Sequence, residues 1–343
     1  MAKKIIAIIL VVTLSSLGLW AQGSKDSGTA KVEPQFFSYA SFNTGTFQYM
    51  YAAALAGELL KIHPEYNITA EATSGTTENL DLLYRNEVVL ASASPERLYN
   101  AYHGLKNYEP KGKLNTGILW GYQNQVTLLF VKANSGINSF EDLVGKRVCI
   151  GAAGSSNEIK NSYVLDAYGY TRSSENVYKF NELTTYSIDF TEGASALADG
   201  TIHAIIATQP LPEPSLYELA LTTNIKVISV DPSKFAAVRA KYSWMWDSTV
   251  PAGSYPGQNN ALNTLGDPNY VLASLDNLSE ADAYAITKAY VEKILPVLAS
   301  QFETVKPFAD DINLLTANWV IPGHPGAVKY YQEIGLKTEV VKP

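Results

Sequence analysis

Short apolar runs alternate with longer amphipathic segments through the first two thirds of the chain, a pattern typical of α/β domains. Residues 36–40, 67–72 and 88–92 have the length and apolar content of buried strands. The segment after the first run places Phe47 and Tyr51 on one helical face. We therefore expect strand–helix units built on a largely parallel sheet.

A second series of strand–helix units begins after the apolar run at residues 126–131. It contains a predicted strand at residues 147–151 and a predicted strand at residues 202–207. Between them the sequence predicts a short helix that Thr191 caps and Gly200 ends. Two such series in one chain indicate two lobes, with the boundary near residues 125–130.

The two series predict a two-lobed α/β protein with a ligand cleft and a hinge. Residues 35–127 together with 248–343 form the predicted lobe 1, and residues 128–247 form the predicted lobe 2. Twenty-two tyrosines and five tryptophans supply rigid side chains for the core, for lobe contacts and for pocket walls. Tyr255 lies at the predicted return of the chain to lobe 1.

The N-terminal residues 1–23 have the anatomy of a secretory signal peptide. A short basic start precedes the almost continuously apolar residues 5–20, and small residues follow. Residues 24–34 are polar and predict a flexible mature N-terminus. We expect export to the periplasm, with no lipid anchor because no cysteine lies near the cleavage site. An uncleaved N-terminal anchor is the alternative.

Composition limits the classes of partner and chemistry. The chain has 33 acidic and 26 basic residues, for a formal net charge of −7, which argues against nucleic acid or anionic membrane as partner. The single cysteine, Cys149, excludes an intrachain disulfide and reads as a buried strand residue. The four histidines match no metal-ligand spacing and no cofactor-binding motif is present, so we expect no cofactor, no metal and a monomer.

Four predicted turns between a strand and a helix are rich in small, hydroxylic and glycine residues. Ligands of open α/β sheets bind beyond the carboxyl ends of the strands, where helix N-termini offer free N–H groups to anions. Ordinary helix capping explains one such turn, but four on one predicted sheet edge favour a ligand site. We add Thr208 and Gln209, which follow the predicted strand at residues 202–207, and Tyr255. The predicted ligand-binding residues are Asn43, Thr44, Gly45, Thr46, Thr73, Ser74, Gly75, Thr76, Ser92, Ser94, Gly154, Ser155, Ser156, Asn157, Thr208, Gln209 and Tyr255.

Several segments resemble the TAXI family of solute receptors, which serve tripartite ATP-independent periplasmic (TRAP) transporters. The turns at residues 43–47 and 73–80 and the segment at residues 135–148 match in the expected order. The most particular matches are Pro-Ala-Gly-Ser-Tyr-Pro-Gly-Gln at residues 251–258 and His-Pro-Gly-Ala at residues 324–327.

The resemblance implies a type II periplasmic binding protein fold, a small carboxylate-bearing ligand such as glutamate or a dicarboxylate, and TRAP membrane subunits as partners. The first loop departs from the family pattern at Phe47 and Gln48, so the resemblance predicts the fold but does not identify the ligand of this protein. The alternatives are a receptor for an ABC importer, and an enzyme or a sensor module on the same fold. The enzyme alternative lacks an acid–base set in this sequence.

Overall fold

The computed structural model describes residues 34–174 and 178–341, so the predicted signal peptide and flexible N-terminus lie outside the described residues. The strands are β1 (Gln35–Ala40), β2 (Tyr66–Glu71), β3 (Leu90–Ala93), β4 (Thr116–Lys132), β5 (Arg147–Cys149), β6 (Thr184–Tyr186), β7 (Ala204–Gln209), β8 (Ile225–Ser229), β9 (Trp246–Val250) and β10 (Leu262–Ser274). The α-helices are α1 (Phe47–Ile62), α2 (Thr76–Tyr84), α3 (Pro95–His103), α4 (Ser156–Ala167), α5 (Phe190–Asp199), α6 (Pro214–Thr222), α7 (Phe235–Lys241), α8 (Glu280–Ala289), α9 (Leu295–Gln301), α10 (Lys306–Asp310) and α11 (Pro325–Glu333).

The strands form a mixed sheet in the order β2-β1-β3-β10-β4-β7-β5-β6, with β8 beside β4 and β9 beside β10. Strands β1, β2 and β3 are parallel and make up the first strand group. Strands β5, β6 and β7 are parallel and make up the second strand group. The predicted α/β class, with two series of strand–helix units, is confirmed by this arrangement. The prediction of a largely parallel sheet is wrong, because β4 and β10 pair antiparallel with each of their neighbours.

The two long strands β4 and β10 are antiparallel neighbours that join the two groups. The first group pairs through β3 with residues 270–273 of β10, and the second group pairs through β7 with residues 126–131 of β4. Strand β10 is antiparallel to both β3 and β4, so β3 and β4 have the same direction. Strand β7 is antiparallel to β4. The carboxyl ends of the two groups therefore point towards each other. They meet at the level of Gln123 to Gln125.

This geometry corrects the prediction that the four hydroxylic turns share one sheet edge. The turns belong to two strand groups of opposite direction and face one another across the central strands. The prediction that Thr191 caps a helix is also wrong, because the side chain of Asp189 accepts the hydrogen bond from the Glu192 N–H of α5. Gly200 ends that helix in the left-handed conformation, as predicted.

The described residues from Pro34 onward form one compact unit, so the predicted lobe boundaries remain a prediction. Within them, no helix is both long and apolar enough to cross a bilayer. The buried side chains form two hydrophobic clusters. In the larger one, Trp120 stacks on Tyr290 at 3.9 Å between ring centroids, and its indole N–H donates to the Tyr51 hydroxyl at 2.9 Å.

Helix α11 packs closely on α8 through a glycine of the His-Pro-Gly-Ala segment. A β-carbon on Gly326 would lie 2.1 Å from the backbone oxygen of Glu280, far inside any contact distance. We expect Gly326→Ala to lower the free energy of unfolding by about 3 kcal/mol, because two helices must separate to admit one methyl group. Denaturant unfolding measures this change.

A matched control is available in α1, where nothing lies within 4 Å of a β-carbon built on Gly57. Gly57→Ala is expected to stabilise the protein by about 0.5–1 kcal/mol, because alanine favours a helix interior over glycine. Equal effects of the two substitutions would contradict the close packing of α11 on α8.

Candidate functional site

A cavity of about 380 Å³ lies where the carboxyl ends of the two strand groups meet. We call it the front cavity. It collects residues from turns of both strand groups and from the central strands β4 and β10. Its lining residues are Phe42, Thr46, Gln48, Ser74, Gly75, Thr76, Thr77, Ser94, Arg97, Gln125, Gly154, Ser155, Ser156, Asn157, Lys160, Gln209 and Asn269.

The first wall of the front cavity is formed by the N-termini of helices α2 and α3. Gly75 and Ser94 occupy the N-cap positions, and neither helix has a side-chain cap. The Thr76 hydroxyl instead accepts from the Ser94 N–H at 3.2 Å, which ties the two helix starts together. Amide N–H groups left free in a first helical turn favour a negatively charged ligand group.

The opposite wall is the turn that leads into helix α4. Ser155 caps this helix by accepting from the Glu158 N–H at 3.2 Å. The Glu158 carboxylate is buried and accepts from the Gly154 N–H at 2.7 Å, with a second hydrogen bond from Ser187. Because these bonds fix the turn, the side chains of Ser156 and Asn157 are held at the cavity surface.

Arg97 is the cationic side chain that spans the two walls. It projects from the first turn of α3, donates through Nη1 to the Thr77 hydroxyl, and donates through Nη2 to the Gly154 carbonyl at 3.1 Å. Among the described residues no carboxylate forms an ion pair with it. The guanidinium therefore brings to the cavity a positive charge that is not held in an ion pair.

Polar side chains of the central strands and of α4 form the floor. The Lys160 ammonium is 2.6 Å from the Asp267 carboxylate and donates to the Gln125 side-chain oxygen at 2.6 Å. The Lys160 side chain is 2% exposed and the Asp267 side chain 0%. Burial raises the pKa of Asp267, and the neighbouring ammonium opposes that rise.

Asn269 completes the floor beside this ion pair. Its amide donates to the Gln123 side-chain oxygen at 2.6 Å, which also accepts from Gln48 at 3.1 Å. The side-chain oxygen of Asn269, Oδ1, has no hydrogen-bond partner although the residue is 2% exposed. An unpaired, buried amide atom at a cavity surface is costly unless a ligand or water satisfies it.

Ten of the seventeen predicted ligand-binding residues lie on the front cavity. The structure brings together Thr46, Ser74, Gly75, Thr76, Ser94, Gly154, Ser155, Ser156, Asn157 and Gln209. Two of these hydroxyls, those of Thr46 and Ser155, cap helices α1 and α4. A hydroxyl that accepts from a backbone N–H has already used one of its lone pairs. By this measure Thr46, Ser155 and Thr76, which accepts from the Ser94 N–H, are weaker candidates than Ser156.

The other seven predicted residues lie away from the cavity surface. Asn43, Thr44 and Gly45 precede α1 without lining the cavity. Three others are buried and bonded within the protein. Thr73 donates to Asn79, Ser92 joins the hydroxyls of Tyr39 and Tyr122, and Thr208 joins Thr127 and Asn161.

Tyr255, the last of the seven, is buried in the smaller hydrophobic cluster. Its hydroxyl accepts from the Glu213 N–H at 2.9 Å, and its ring meets Phe130 edge to face. The structure thus gives Tyr255 a packing contact in place of a position at the front cavity.

Sequence reasoning missed seven lining residues, namely Phe42, Gln48, Thr77, Arg97, Gln125, Lys160 and Asn269. One of them carried a signal. A cation in the first turn of a helix opposes the helix dipole, so Arg97 directly after Ser94-Pro95-Glu96 is unfavourable for the helix itself and points to another role.

A second cavity, of about 830 Å³, lies on the other side of the central strands, and we call it the rear cavity. Along β4 the side chain of Gln125 lines the front cavity, whereas Asn124 and Val126 line the rear one. Its remaining walls are largely apolar and include Leu211, Pro212, Tyr217, Trp246, Pro251, Pro307, Phe308 and Leu314. In the described residues no group of histidine, cysteine, aspartate and glutamate side chains could hold a metal ion.

Several solved structures of binding proteins are similar to this chain over most of their length. The aliphatic sulphonate binding protein SsuA of Escherichia coli has 13% identity over 91% of this chain and 93% of its own, with a TM-score of 0.47. A putative sulfonate-binding SsuA of Methylobacillus flagellatus has 15% identity over 88% of each chain, with a TM-score of 0.49. The probable amino-acid binding protein ytmK of Bacillus subtilis has 19% identity over 81% and 97%, with a TM-score of 0.44.

At these identities and scores nothing about the ligand follows from the solved structures. A match to a protein-family model is more direct, because it covers residues 40–335. This range includes every strand after β1, both central strands among them, and every residue that lines the front cavity. The chain therefore belongs to the NMT1-like family.

Proposed function

We propose that this protein is an extracytoplasmic solute-binding receptor of a TRAP transporter, which binds a small carboxylate-bearing ligand in the front cavity. The observation that carries the proposal is the meeting of both strand groups at one polar cavity with Arg97 across it. Free helix N-termini and an unpaired guanidinium together favour an anionic group. The resemblance of residues 251–258 and 324–327 to TAXI receptors supports the TRAP partner.

Ligand capture by closure is the proposed mechanism. A ligand that touches the first turns of α2 and α3 and also the turn before α4 stabilises the state in which the two walls are close. Shifting the protein from mostly open to mostly closed takes about 5 kcal/mol of differential affinity, and a micromolar ligand supplies about 8 kcal/mol in total. The closed surface is then recognised by the membrane subunits.

The titratable groups at the cavity support a receptor rather than an enzyme. Among the lining residues only Arg97 and Lys160 can carry charge, and Lys160 is bound to Asp267. No histidine lines the cavity. The Ser74 hydroxyl donates to the Glu78 carboxylate at 2.7 Å, but the hydrogen bonds from Ser74 hold the pKa of Glu78 below its ordinary value, which makes it a poor general base.

A thermal-shift screen of the mature protein with amino acids, keto acids and mono- and dicarboxylates tests the ligand class. A member at a hundredfold excess over its dissociation constant is expected to add about 2.7 kcal/mol to the free energy of unfolding. Selective stabilisation by sugars or cations, with none by any carboxylate, would contradict the proposal.

Reconstituted uptake separates the TRAP partner from its alternative, the ABC importer. With the identified ligand, vesicles that hold TRAP membrane subunits are expected to accumulate it from an ion gradient when this receptor is added outside. Uptake that requires an ATPase and ATP inside the vesicles would assign the receptor to an ABC importer instead.

A further inference from the structure

The charge of the floor of the front cavity is set by a residue that does not line it. Asp267 lies beneath the floor on β10, fully buried, and is bound to the Lys160 ammonium. Lys160 itself reaches the cavity surface. Of the two cations that line the cavity, one is therefore neutralised by an ion pair from behind, whereas Arg97 forms no ion pair among the described residues.

The neutralisation does not depend on where the shared proton resides. A carboxylate beside an ammonium and a carboxylic acid beside an amine both carry zero total charge. Gln125 accepts a further hydrogen bond from Lys160, so two of the three N–H donors of the ammonium are used within the protein. A ligand thus meets a neutral, polar floor.

The rest of the floor is built from amides. Gln48, Gln123 and Asn269 form a buried hydrogen-bonded set, and one amide atom of Asn269 is unpartnered at the cavity surface. An amide satisfies an uncharged hydrogen-bonding group or an ammonium, but it does not neutralise a carboxylate in a buried place. The two ends of the cavity are therefore chemically different.

We propose that Asp267 makes this receptor selective for ligands with a single anionic group and a polar, non-anionic opposite end. The anionic group binds at Arg97 and the helix N-termini of α2 and α3, and the other end binds at Gln125 and Asn269. A dicarboxylate would place its second carboxylate on amides above the buried Asp267. This inference rests on the proposed function and narrows its ligand class.

Matched ligands of nearly equal size that differ in one carboxylate test the selectivity on the wild-type protein. The pairs are glutamine with glutamate, asparagine with aspartate, and succinamate with succinate, each measured by thermal shift and calorimetry at one pH and ionic strength. In the pair that binds, the member with one carboxylate is expected to bind at least about tenfold more tightly than the member with two, since an uncompensated second carboxylate in a partly buried site is strongly disfavoured. Equal or tighter binding of the member with two carboxylates would overturn the inference.

Asp267→Asn supplies the converse test. It keeps the shape of the side chain and frees the positive charge of Lys160, so the member with two carboxylates is expected to gain at least about tenfold in affinity. The double variant Lys160→Gln with Asp267→Asn restores a neutral floor and is expected to keep the wild-type preference. An unchanged preference in a folded Asp267→Asn would overturn the inference.

Failure of the proposed function would look different from failure of the selectivity. If no carboxylate of either kind binds the wild type or the variants, the receptor function at this cavity is wrong and the inference falls with it. If carboxylates bind but the pairs are not discriminated, the receptor function stands and the role of Asp267 is wrong.

Discussion

Arg97→Gln is expected to weaken the binding of a carboxylate-bearing ligand by about ten- to a hundredfold. The substitution removes a charge-assisted hydrogen bond to the ligand, worth about 1.5–3 kcal/mol, and the contact with the Gly154 carbonyl across the cavity. Calorimetry with the best carboxylate from the thermal-shift screen measures the loss.

A matched control for this substitution is Arg85→Gln. Arg85 follows α2, is exposed and pairs with Glu87, so its loss is expected to leave the affinity unchanged. The ligand-free melting temperature of Arg97→Gln is expected to stay near that of the wild type, which separates a binding role from a folding role. Unchanged ligand affinity in a folded Arg97→Gln would show that the anion does not bind at this side chain.

Lys160→Met is expected to destabilise the protein by about 3–5 kcal/mol at neutral pH. The substitution leaves the fully buried carboxylate of Asp267 without its cation, and an unpaired buried charge is among the most costly defects in a protein interior. Denaturant unfolding at several pH values measures the effect. Lys241→Met, an exposed change at the end of α7, serves as the control.

The pH dependence of this variant has a definite sign. Burial raises the folded-state pKa of Asp267 above its unfolded value, and removing Lys160 raises it further. A carboxyl with a raised folded pKa favours the folded state below its unfolded pKa and loses that contribution as the pH rises through the folded pKa.

The stability deficit of Lys160→Met is therefore expected to shrink on going from pH 7.5 towards pH 4.5, and Asp267→Asn in the same chain is expected to remove most of it. A deficit that is constant with pH and survives the second substitution would assign the effect to lost packing.

Local patterns predicted the strand–helix units well, because each unit is specified by its own apolar spacing and turn residues. They also singled out the turns at Thr76, Ser94 and Ser156, which line the front cavity. They did not predict that the two strand groups oppose one another, since direction in a sheet depends on long-range pairing. Residues 116–125 of β4 were not predicted as a strand, because the extent of that strand also depends on its long-range pairing with β10.

The floor of the cavity could not be predicted from local sequence. Lys160 and Asp267 are 107 residues apart, and each looks like an ordinary polar position in a helix or strand until the sheet brings them together. The same limit applies to Thr73 and Thr208. Both are residue types common in ligand sites, but their hydroxyls donate to buried asparagine side chains of the protein.

The alternation of β4 between its two cavities has a spectroscopic consequence. Among the tryptophans that the structure describes, Trp246 is the one that is only partly buried, and its indole N–H donates to Asn124 at 2.9 Å beside Gln125 on the strand. We expect a ligand that contacts Gln125 in the front cavity to change the polarity and solvent contact around that indole on the far side. A titration of intrinsic emission, with Trp246→Phe as the control, measures this change without a label.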